Sequence, residues 1–456
     1  MKRTPVIAVF DVGKTNKKLF LFDQDYKIVY EKSARFTEVV DEDGFPCENV
    51  DALKSVLFES LNEVYKLEDF EVKAINFSTY GASFVYVGED GNPVSPLYNY
   101  LKPYPQDLQD AFYKQYGGEA KVACETASPV LGNLNSGMQL YRIKHQNPEL
   151  YSKIKHALHL PQYMSYLLTG KAVTDITSIG SHTNLWDFDK NQYHQWVVDE
   201  NLLEKLAPVV AVDTVFNIKD CGFDIGVGIG LHDSSAALIP YLANFHEPFM
   251  LLSTGTWCIS LNPFNHSPLT ADELSNDCLC YMDYHGNPVK ASRLFAGHDH
   301  EVQTNRIATH FSESVAKYKT VEYSQDHITR LKSDKKLSND NGELIAFAEA
   351  DLSVYLSGDE AYHHLASDLV RQQVISSDLV LNHSTVKRIF VDGGFSKNSV
   401  YMNMLALAFA DMEVFAASMP QATALGTALA MHSKWNTKAL PANLIELNYY
   451  AVNQLI

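Results

Sequence analysis

Two segments of the sequence share one pattern: an apolar run, a polar turn with a single glycine and hydroxyl side chains, and a second apolar run. They are residues 6–22 and 248–261. Short apolar runs bounded by turn residues are typical of buried strands. Each segment therefore predicts a β-hairpin, one near the start of the chain and one past its midpoint. The two are alike in pattern only and are not a sequence repeat.

Strand patterns alternate with helical ones elsewhere in the chain. Apolar residues at helical spacing predict helices over Ala52–Leu67 and 399–410, and short apolar runs predict strands at Val72–Ser78 and 388–391. Such alternation indicates an α/β architecture. Since a domain takes roughly 100–200 residues, we expect two domains in a chain of 456 residues, 1–243 and 244–456.

Composition excludes several classes of protein. Lys and Arg total 37 and Asp and Glu 55, a net charge of −18, so a nucleic-acid partner is not expected. Six cysteines are too few for a disulfide framework and favour a reducing compartment. No apolar stretch approaches the ~18 residues of a membrane span, and the first residues lack a secretory apolar segment. We expect a cytoplasmic protein with a small-molecule partner.

The first polar turn could hold phosphate. Gly13 permits a tight turn that brings the backbone close to a ligand, and Lys14 and Thr15 could bind phosphate oxygens with the backbone N–H groups. Asp11 could hold a magnesium ion. A P-loop is excluded, since Ala8 stands where that motif needs glycine and a strand follows instead of a helix. An ordinary hairpin turn is the alternative.

The second turn offers similar chemistry through Thr254, Gly255 and Thr256. Two such turns, each opening one half of the chain, suggest two hairpins that face one polyphosphate. The pair Gly393-Gly394 adds a turn between a strand and a helix, where the helix N-terminus favours anions. A tight turn without a ligand is the alternative for the glycine pair.

The segment Gly230-Leu231-His232-Asp233 is the best catalytic candidate. Asp233 could act as a general base that takes a proton from a substrate hydroxyl, with His232 orienting it or touching substrate. Asp233 or a following serine could instead be the N-terminal cap of a helix whose apolar residues 236–238 follow, with His232 simply packed.

Other polar and aromatic residues receive simpler interpretations. Tyr98, Tyr100 and Tyr104 could line a sugar pocket or belong to ordinary packing. The histidines at 298, 300 and 310 do not form a complete metal-ligand set, and His363-His364 suits an exposed helix face. No Gly-x-Ser-x-Gly motif supports a serine hydrolase.

In this order along the chain, these segments resemble the FGGY family of carbohydrate kinases, and most closely the L-fuculose and L-rhamnulose kinases. Residues 78–83 resemble the family's sugar segment, 159–175 a conserved helix end, and 392–398 with 422–428 the adenosine segments. The resemblance implies two RNase H-like domains of the actin, sugar-kinase and Hsp70 type around a cleft. It also implies phosphorylation of a ketose, deoxyketose or polyol hydroxyl by ATP with Mg²⁺, and a homodimer.

The resemblance assigns roles to individual residues. Asp233 becomes the catalytic base and Asp11 the residue nearest the metal. The residues implied to bind ATP are Gly13, Lys14, Thr15, Asn16, Lys18, Thr254, Gly255, Thr256, Gly393, Gly394, Phe395, Ser396 and Asn398. Those implied to bind the sugar are Tyr80, Gly81, Ser83, Tyr104, His232 and Asp233.

Four positions depart from the family pattern: Lys14 replaces a small or hydroxyl residue, Lys18 an arginine, Ser83 an aspartate, and Tyr104 lies near a usual arginine. The sugar and the phosphorylated hydroxyl are therefore left open. One alternative is a nucleotide- and sugar-binding regulator with little turnover. Another is a hydrolase that uses Asp233 with a second carboxylate, but it leaves the paired turns unexplained.

Overall fold

The computed structural model describes residues 3–14, 16–338, 343–419 and 421–451, and two seven-stranded sheets organise it. The first sheet consists of β1 (Thr4–Val12), β2 (Lys17–Asp23), β3 (Ile28–Ala34), β4 (Phe70–Thr79), β5 (Val215–Asp220), β6 (Phe223–Gly228) and β7 (Leu231–His232). The second consists of β8 (Phe249–Thr254), β9 (Cys258–Asn262), β10 (Cys278–Met282), β11 (Pro288–Leu294), β12 (Arg388–Gly393), β13 (Glu413–Ser418) and β14 (Glu446–Tyr450).

The α-helices pack against the sheets and against one another. They are α1 (Val50–Tyr65), α2 (Gln106–Tyr116), α3 (Glu119–Glu125), α4 (Ser136–Gln146), α5 (Pro148–Lys153), α6 (Leu160–Thr169), α7 (Ile176–Ile179), α8 (Gln195–Asp199), α9 (Asp233–Asn244), α10 (Ala271–Ser275), α11 (Ala296–Phe311), α12 (Gln325–Ser333), α13 (Gly358–Leu381), α14 (Ser399–Ala408), α15 (Ala422–Leu429) and α16 (His432–Trp435). Three two-stranded pairs complete the strands: Val39–Val40 with Pro46–Cys47, Phe84–Val87 with His156–His159, and Trp186–Asp187 with Gln192–Tyr193.

The two sheets share a four-strand core. In the first, the order β3-β2-β1-β4 combines an antiparallel meander with a strand parallel to β1. In the second, β11-β9-β8-β12 repeats that arrangement. Both predicted hairpins are therefore confirmed as the first two strands of each core, and so is the α/β fold with two sheet-containing domains.

Helix α9 links the two cores. Its residues Ala236 and Ile239 join the apolar cluster against the first sheet, while Leu238 and Tyr241 join the cluster against the second. Helix α15 crosses it closely, since a Cβ atom at Gly426 would lie 1.8 Å from the carbonyl oxygen of Ala236. The residue that starts α9 is thereby anchored to both halves of the molecule.

The prediction that His363 and His364 lie on an exposed helix face is wrong. Both side chains are fully buried on α13. His363 Nε2 accepts a hydrogen bond from the Ser324 amide at 2.9 Å, and the Tyr355 hydroxyl bonds His364 Nδ1 at 2.6 Å. The exposed positions of α13 are Arg371, Ile375 and Asp378, so the outward face of this helix does not include the two histidines.

The division of the chain at residue 243 coincides with the end of α9, and it stays a prediction. Within the residues that the structure describes, no helix is long and apolar enough to cross a membrane.

Candidate active site

The loop 230–233 is fixed from the side of the first domain. The Gln162 amide donates a hydrogen bond to the Gly230 carbonyl oxygen at 2.8 Å. The His232 backbone N–H donates to Thr177 Oγ1 at 3.0 Å. Residues 231–232 form β7, which adds a short parallel strand beside β4. These bonds place Asp233 at the first position of α9.

Asp233 combines a raised pKa with an available oxygen. Its Oδ1 accepts a hydrogen bond from the Ser234 amide at 2.6 Å and lies 3.2 Å from His232 Nε2. No described residue hydrogen-bonds to Oδ2, and 33% of the side chain is exposed. Burial raises the pKa of this carboxyl to about 6. At neutral pH it is therefore an ionised carboxylate that can accept a proton.

The helix-cap alternative for Asp233 is wrong, because His232 occupies the N-cap position. Burial lowers the pKa of His232 to about 4, so its ring is neutral at pH 7. Its Nε2 contacts Ser181 Oγ at 3.2 Å. A Cβ atom at Gly81 would lie 3.0 Å from the same ring. The predicted substrate residues Gly81 and His232 thus meet beside the carboxylate.

Asp11 forms a second carboxylate near the first. It lies at the end of β1, where the Ser78 hydroxyl donates to Oδ1 at 3.1 Å. Burial and, second, the charge of Asp233 raise the pKa of Asp11 to about 6, against the opposing effects of the Ser78 hydrogen bond and the Lys18 charge. Two neighbouring carboxylates create a negative potential that suits a divalent cation.

This donor set fits Mg²⁺ held jointly by protein and phosphate. Among the described residues, no group of three or more His, Cys, Asp or Glu side chains could hold a metal ion. Mg²⁺ commonly takes one or two carboxylates and completes its shell with water and substrate phosphates. Asp11 is a donor of that kind, and its assignment to Mg²⁺, which would need a polyphosphate to complete its shell, stays a prediction.

Hydrogen bonds between its own residues hold the turn of the first hairpin. The Gly13 amide donates to the Asn16 carbonyl oxygen at 2.9 Å, and Lys17 Nζ donates to the Lys14 carbonyl oxygen at 2.9 Å. Lys17 also pairs with Glu48 at 2.8 Å, and both side chains are buried. A buried ion pair that the sequence analysis missed therefore holds the shape of this turn.

The other lysines of the hairpin are paired at the surface. Lys14 Nζ lies 3.1 Å from Glu38, and Lys18 Nζ lies 3.1 Å from Glu31. Such partly exposed pairs contribute little to stability, so these ammonium groups could exchange a glutamate for a phosphate. Thr15 lies outside the described residues, and its assignment stays a prediction.

Thr254 ties the second hairpin to the glycine turn. Its hydroxyl donates to the Asp392 carbonyl oxygen and accepts the Phe395 amide at 3.0 Å, while its carbonyl accepts the Gly394 amide at 2.9 Å. Gly393 has φ of 82°, and a Cβ atom there would lie 1.9 Å from the Thr254 carbonyl oxygen. The hydroxyl of Thr254 thus makes protein contacts, and direct phosphate binding by it stays a prediction.

Residues of the second hairpin and of the glycine turn line a cavity of about 470 Å³. Its lining residues are Gly255, Gly297, His300, Lys319, Gly394, Phe395, Lys397 and Asn398. Its size and its two lysines suit an anionic nucleotide. Four of these residues were not predicted from the sequence as nucleotide-binding residues: Gly297, His300, Lys319 and Lys397.

The remaining predicted ATP residues shape this region. The Ser396 hydroxyl donates to the Gly393 carbonyl oxygen at 2.9 Å, and the Asn398 side chain caps α14. Close approach also explains Gly297, because a Cβ atom there would lie 1.8 Å from the Gly255 carbonyl oxygen. Thr256 lies in the same hairpin turn and accepts the His298 amide through its carbonyl at 3.2 Å.

The other predicted sugar residues have different surroundings. The Tyr80 hydroxyl donates to Glu48 at 3.2 Å, and the Tyr104 hydroxyl donates to the Met138 carbonyl oxygen at 3.1 Å. Ser83 is buried at the end of the sugar segment. The hydroxyls of Tyr80 and Tyr104 therefore hydrogen-bond to other protein groups, and the assignment of the two residues as sugar ligands stays a prediction.

Two family descriptions match the sequence. The N-terminal domain of the FGGY family of carbohydrate kinases matches residues 6–238, and the C-terminal domain of carbohydrate kinase FGGY matches residues 246–331.

Among similar sequences is a rhamnulokinase of Halalkalibacterium halodurans, 25% identical over 267 residues that cover 55% of this chain and 54% of the relative. A rhamnulokinase of Klebsiella pneumoniae is 28% identical over 259 residues, covering 53% and 51%. The aligned part thus spans about half the length of the relatives it matches.

Solved structures resemble the whole fold. A carbohydrate kinase from Novosphingobium aromaticivorans has a TM-score of 0.79 at 22% identity, covering 99% of this chain and 95% of the other. A ligand-bound xylulose kinase from Lactobacillus acidophilus has a TM-score of 0.78 at 17% identity, with 99% and 94% covered. At these identities the likeness establishes the two-domain fold.

Proposed function

This chain belongs to the FGGY family of carbohydrate kinases, and on that premise we propose that it transfers the terminal phosphoryl group of ATP to a hydroxyl of a ketose, deoxyketose or polyol. The observation that carries the proposal is Asp233, an ionised carboxylate with a free oxygen at the start of a helix shared by both domains. The matches to rhamnulokinases make a ketose of that kind the first sugar to test.

The chain's residues divide the work of phosphoryl transfer. The cavity beside Lys319 and Lys397 would bind the nucleotide, and the two hairpin turns would hold its phosphates. Asp233 Oδ2 would accept the proton of the attacking hydroxyl as the new oxygen–phosphorus bond forms and the bond to ADP breaks. Asp11 would hold Mg²⁺, which when bound neutralises charge on the phosphates. Such catalysis consists of positioning and charge neutralisation.

The test compares Asp233→Asn with Asp224→Asn, which removes an exposed carboxylate from β6 of the same sheet. We expect Asp233→Asn to reduce sugar-dependent ADP release by at least ~10³-fold while Mg-ATP still binds in calorimetry, since only the proton acceptor is lost. Asp224→Asn should behave as the wild type. Near-normal turnover of Asp233→Asn would remove this residue from the role of base.

A regulator that binds nucleotide and sugar with little turnover is the second candidate. The feature that favours it is Ser83, which stands in the sugar segment where the family commonly has an aspartate. Sugar-stimulated ADP release separates the two candidates, because only the kinase shows it. A cytoplasmic location fits the six free cysteines, and a homodimer is expected from the family alone.

A further inference from the structure

Two rings that the sequence analysis did not assign surround His232. The ring of His182 lies 6.5 Å from that of His232, and the ring of Tyr281 lies 5.5 Å from it. His182 belongs to the first domain, whereas Tyr281 lies on β10 of the second sheet. The surroundings of Asp233 are therefore built from both halves of the chain.

His182 is held in an unusual conformation with one nitrogen available. Its φ of 43° lies in the left-handed region, which residues other than glycine seldom adopt and which is concentrated at functional sites. Its Nδ1 lies 3.3 Å from the Leu134 carbonyl oxygen and must donate to it. Because burial lowers the pKa of His182 to about 3, the ring is neutral and Nε2 is a bare acceptor.

Three side chains near Asp233 each keep one polar atom without a partner in the described part of the chain. No described residue hydrogen-bonds to His182 Nε2, Tyr281 Oη or Tyr100 Oη. Each of these three atoms keeps contact with solvent, because none is among the polar atoms that are both unpartnered and fully enclosed. Unpartnered polar atoms on largely buried side chains are costly unless a ligand or water satisfies them.

Tyr281 and Tyr100 both lie near the base. Burial raises the pKa of Tyr281 to about 12, with Arg293 opposing the rise and the charge of Asp233 adding to it. For Tyr100, burial is again the main cause of a raised pKa, and the charge of Asp233 is the second. The Tyr100 ring also meets that of Tyr80 edge-on at 6.0 Å, beside the sugar segment.

Tyr281 is fixed against the first domain although it comes from the second. The Ser235 hydroxyl donates to the Met282 carbonyl oxygen at 2.8 Å, and the Cys280 amide donates to the Ala127 carbonyl oxygen at 3.3 Å. A Cβ atom at Gly180 would lie 2.2 Å from the Met282 side chain. Strand β10 is therefore docked at this site, and the position of Tyr281 is set in advance.

We propose that His182 Nε2, Tyr281 Oη and Tyr100 Oη bind hydroxyl groups of the acceptor sugar beside Asp233. A neutral imidazole nitrogen accepts a hydrogen bond from a hydroxyl, and a phenol can donate or accept one. The three groups carry no charge, and Arg293, the cation whose charge acts on His182 and Tyr281, is already paired with Asp277. The set thus matches a neutral polyhydroxy substrate and offers no unpaired cation to a sugar acid or a sugar phosphate. This assignment rests on the proposed function.

The test uses variants that remove single atoms. Tyr281→Phe and Tyr100→Phe delete only the hydroxyl. His182→Asn keeps a donor for Leu134 and tolerates the left-handed backbone, but it lacks the Nε2 acceptor. Tyr193→Phe is the matched control, because the Tyr193 hydroxyl also lacks a partner but is fully enclosed in the strand pair with Trp186.

For the sugar that gives turnover, we expect each of the three variants to raise the KM for sugar about 3- to 10-fold, the loss of one neutral hydrogen bond. The KM for ATP should stay unchanged, and Tyr193→Phe should match the wild type. Each variant should also lose the preference of the wild type for the sugar over the analogue that lacks the contacted hydroxyl. A structural role would change the KM for ATP or kcat as well and would keep that preference.

Unchanged sugar KM values in all three variants would overturn the assignment while leaving the kinase intact. Sugar binding without ATP, measured by calorimetry, separates the two proposals. If the wild type binds a sugar that the variants bind more weakly, but no ADP is released, the site is supported and the kinase activity fails. If the wild type binds none of the neutral sugars, or prefers sugar acids, the assignment is overturned.

Discussion

The buried pair Lys17–Glu48 should be essential to the first hairpin. Only 6% of Lys17 and 4% of Glu48 are exposed, and Nζ lies 2.8 Å from Oε1. Tyr80 donates to the other carboxylate oxygen, so the pair joins the turn of the first hairpin to residues 78–83. Removing one partner of a buried pair costs about 3–5 kcal/mol, because the other charge stays desolvated. We therefore expect Glu48→Gln to lower the free energy of unfolding by about that amount.

The same change should weaken ATP binding. Lys17 Nζ also donates to the Lys14 carbonyl oxygen, so an ammonium released from Glu48 no longer fixes the turn. Urea unfolding followed by fluorescence of the four tryptophans measures the stability, and the KM for ATP measures the shape of the turn. The double variant Lys17→Met/Glu48→Gln should recover part of the lost stability, since no charge is then left buried.

The control is the neighbouring surface pair. The side chains of Lys14 and Glu38 are 26% and 48% exposed, so Glu38→Gln should cost at most about 1 kcal/mol. Stability of Glu48→Gln within about 0.5 kcal/mol of the wild type, together with an unchanged KM for ATP, would show that the buried pair does not hold the hairpin.

Three further expectations concern Asp233 and the glycine turn. Because Asp233 must be ionised to accept a proton and its pKa is about 6, kcat/KM should rise with pH through about 6. A kcat/KM that stays constant between about pH 5 and about pH 7 would contradict this role. Because the pKa of Asp233 is raised in the folded protein, its ionised form destabilises the fold above pH 6, whereas below pH 3.8 the group is protonated in both states and has no effect. Asp233→Asn should therefore raise the free energy of unfolding in urea by about 1–2 kcal/mol at pH 8, a value reduced for the partial exposure of the side chain, and should not change it at pH 3.5. Gly393→Ala should lower the free energy of unfolding by at least about 2 kcal/mol and raise the KM for ATP, since it adds a clash with backbone to a positive φ. Gly44 also has a positive φ but open space around it, so Gly44→Ala should lower the free energy of unfolding by only about 1 kcal/mol. Equal losses of stability in the two variants would contradict the clash.

The hairpins were predictable because their signal is local. Apolar runs bounded by polar turns identified the strands at 6–22 and 248–261, and the observed ends differ by one or two residues. The start of α9 at Asp233 was equally visible from the small residues before an apolar run. Each of these features depends on neighbours along the chain, which a single sequence displays directly.

Features set by distant contacts were not predictable. The Lys17–Glu48 pair joins a strand to the residues before α1, and the use of the Thr254 hydroxyl depends on a turn far along the chain. No local sequence pattern predicts the left-handed backbone of His182, and Tyr281 has the pattern of an ordinary strand residue. Their surroundings arise only when β10 docks against the first domain.

The most direct test of the account is ADP release with Mg-ATP across ketoses, deoxyketoses, aldoses, polyols and sugar acids, with Asp233→Asn in parallel. We expect one neutral sugar to stimulate release well above the sugar-free rate, ³¹P NMR to find the phosphate on that sugar, and Asp233→Asn to abolish both. A flat panel with a protein that still binds Mg-ATP would contradict the kinase and favour the regulator. A flat panel without ATP binding would contradict the assignment of the two hairpins.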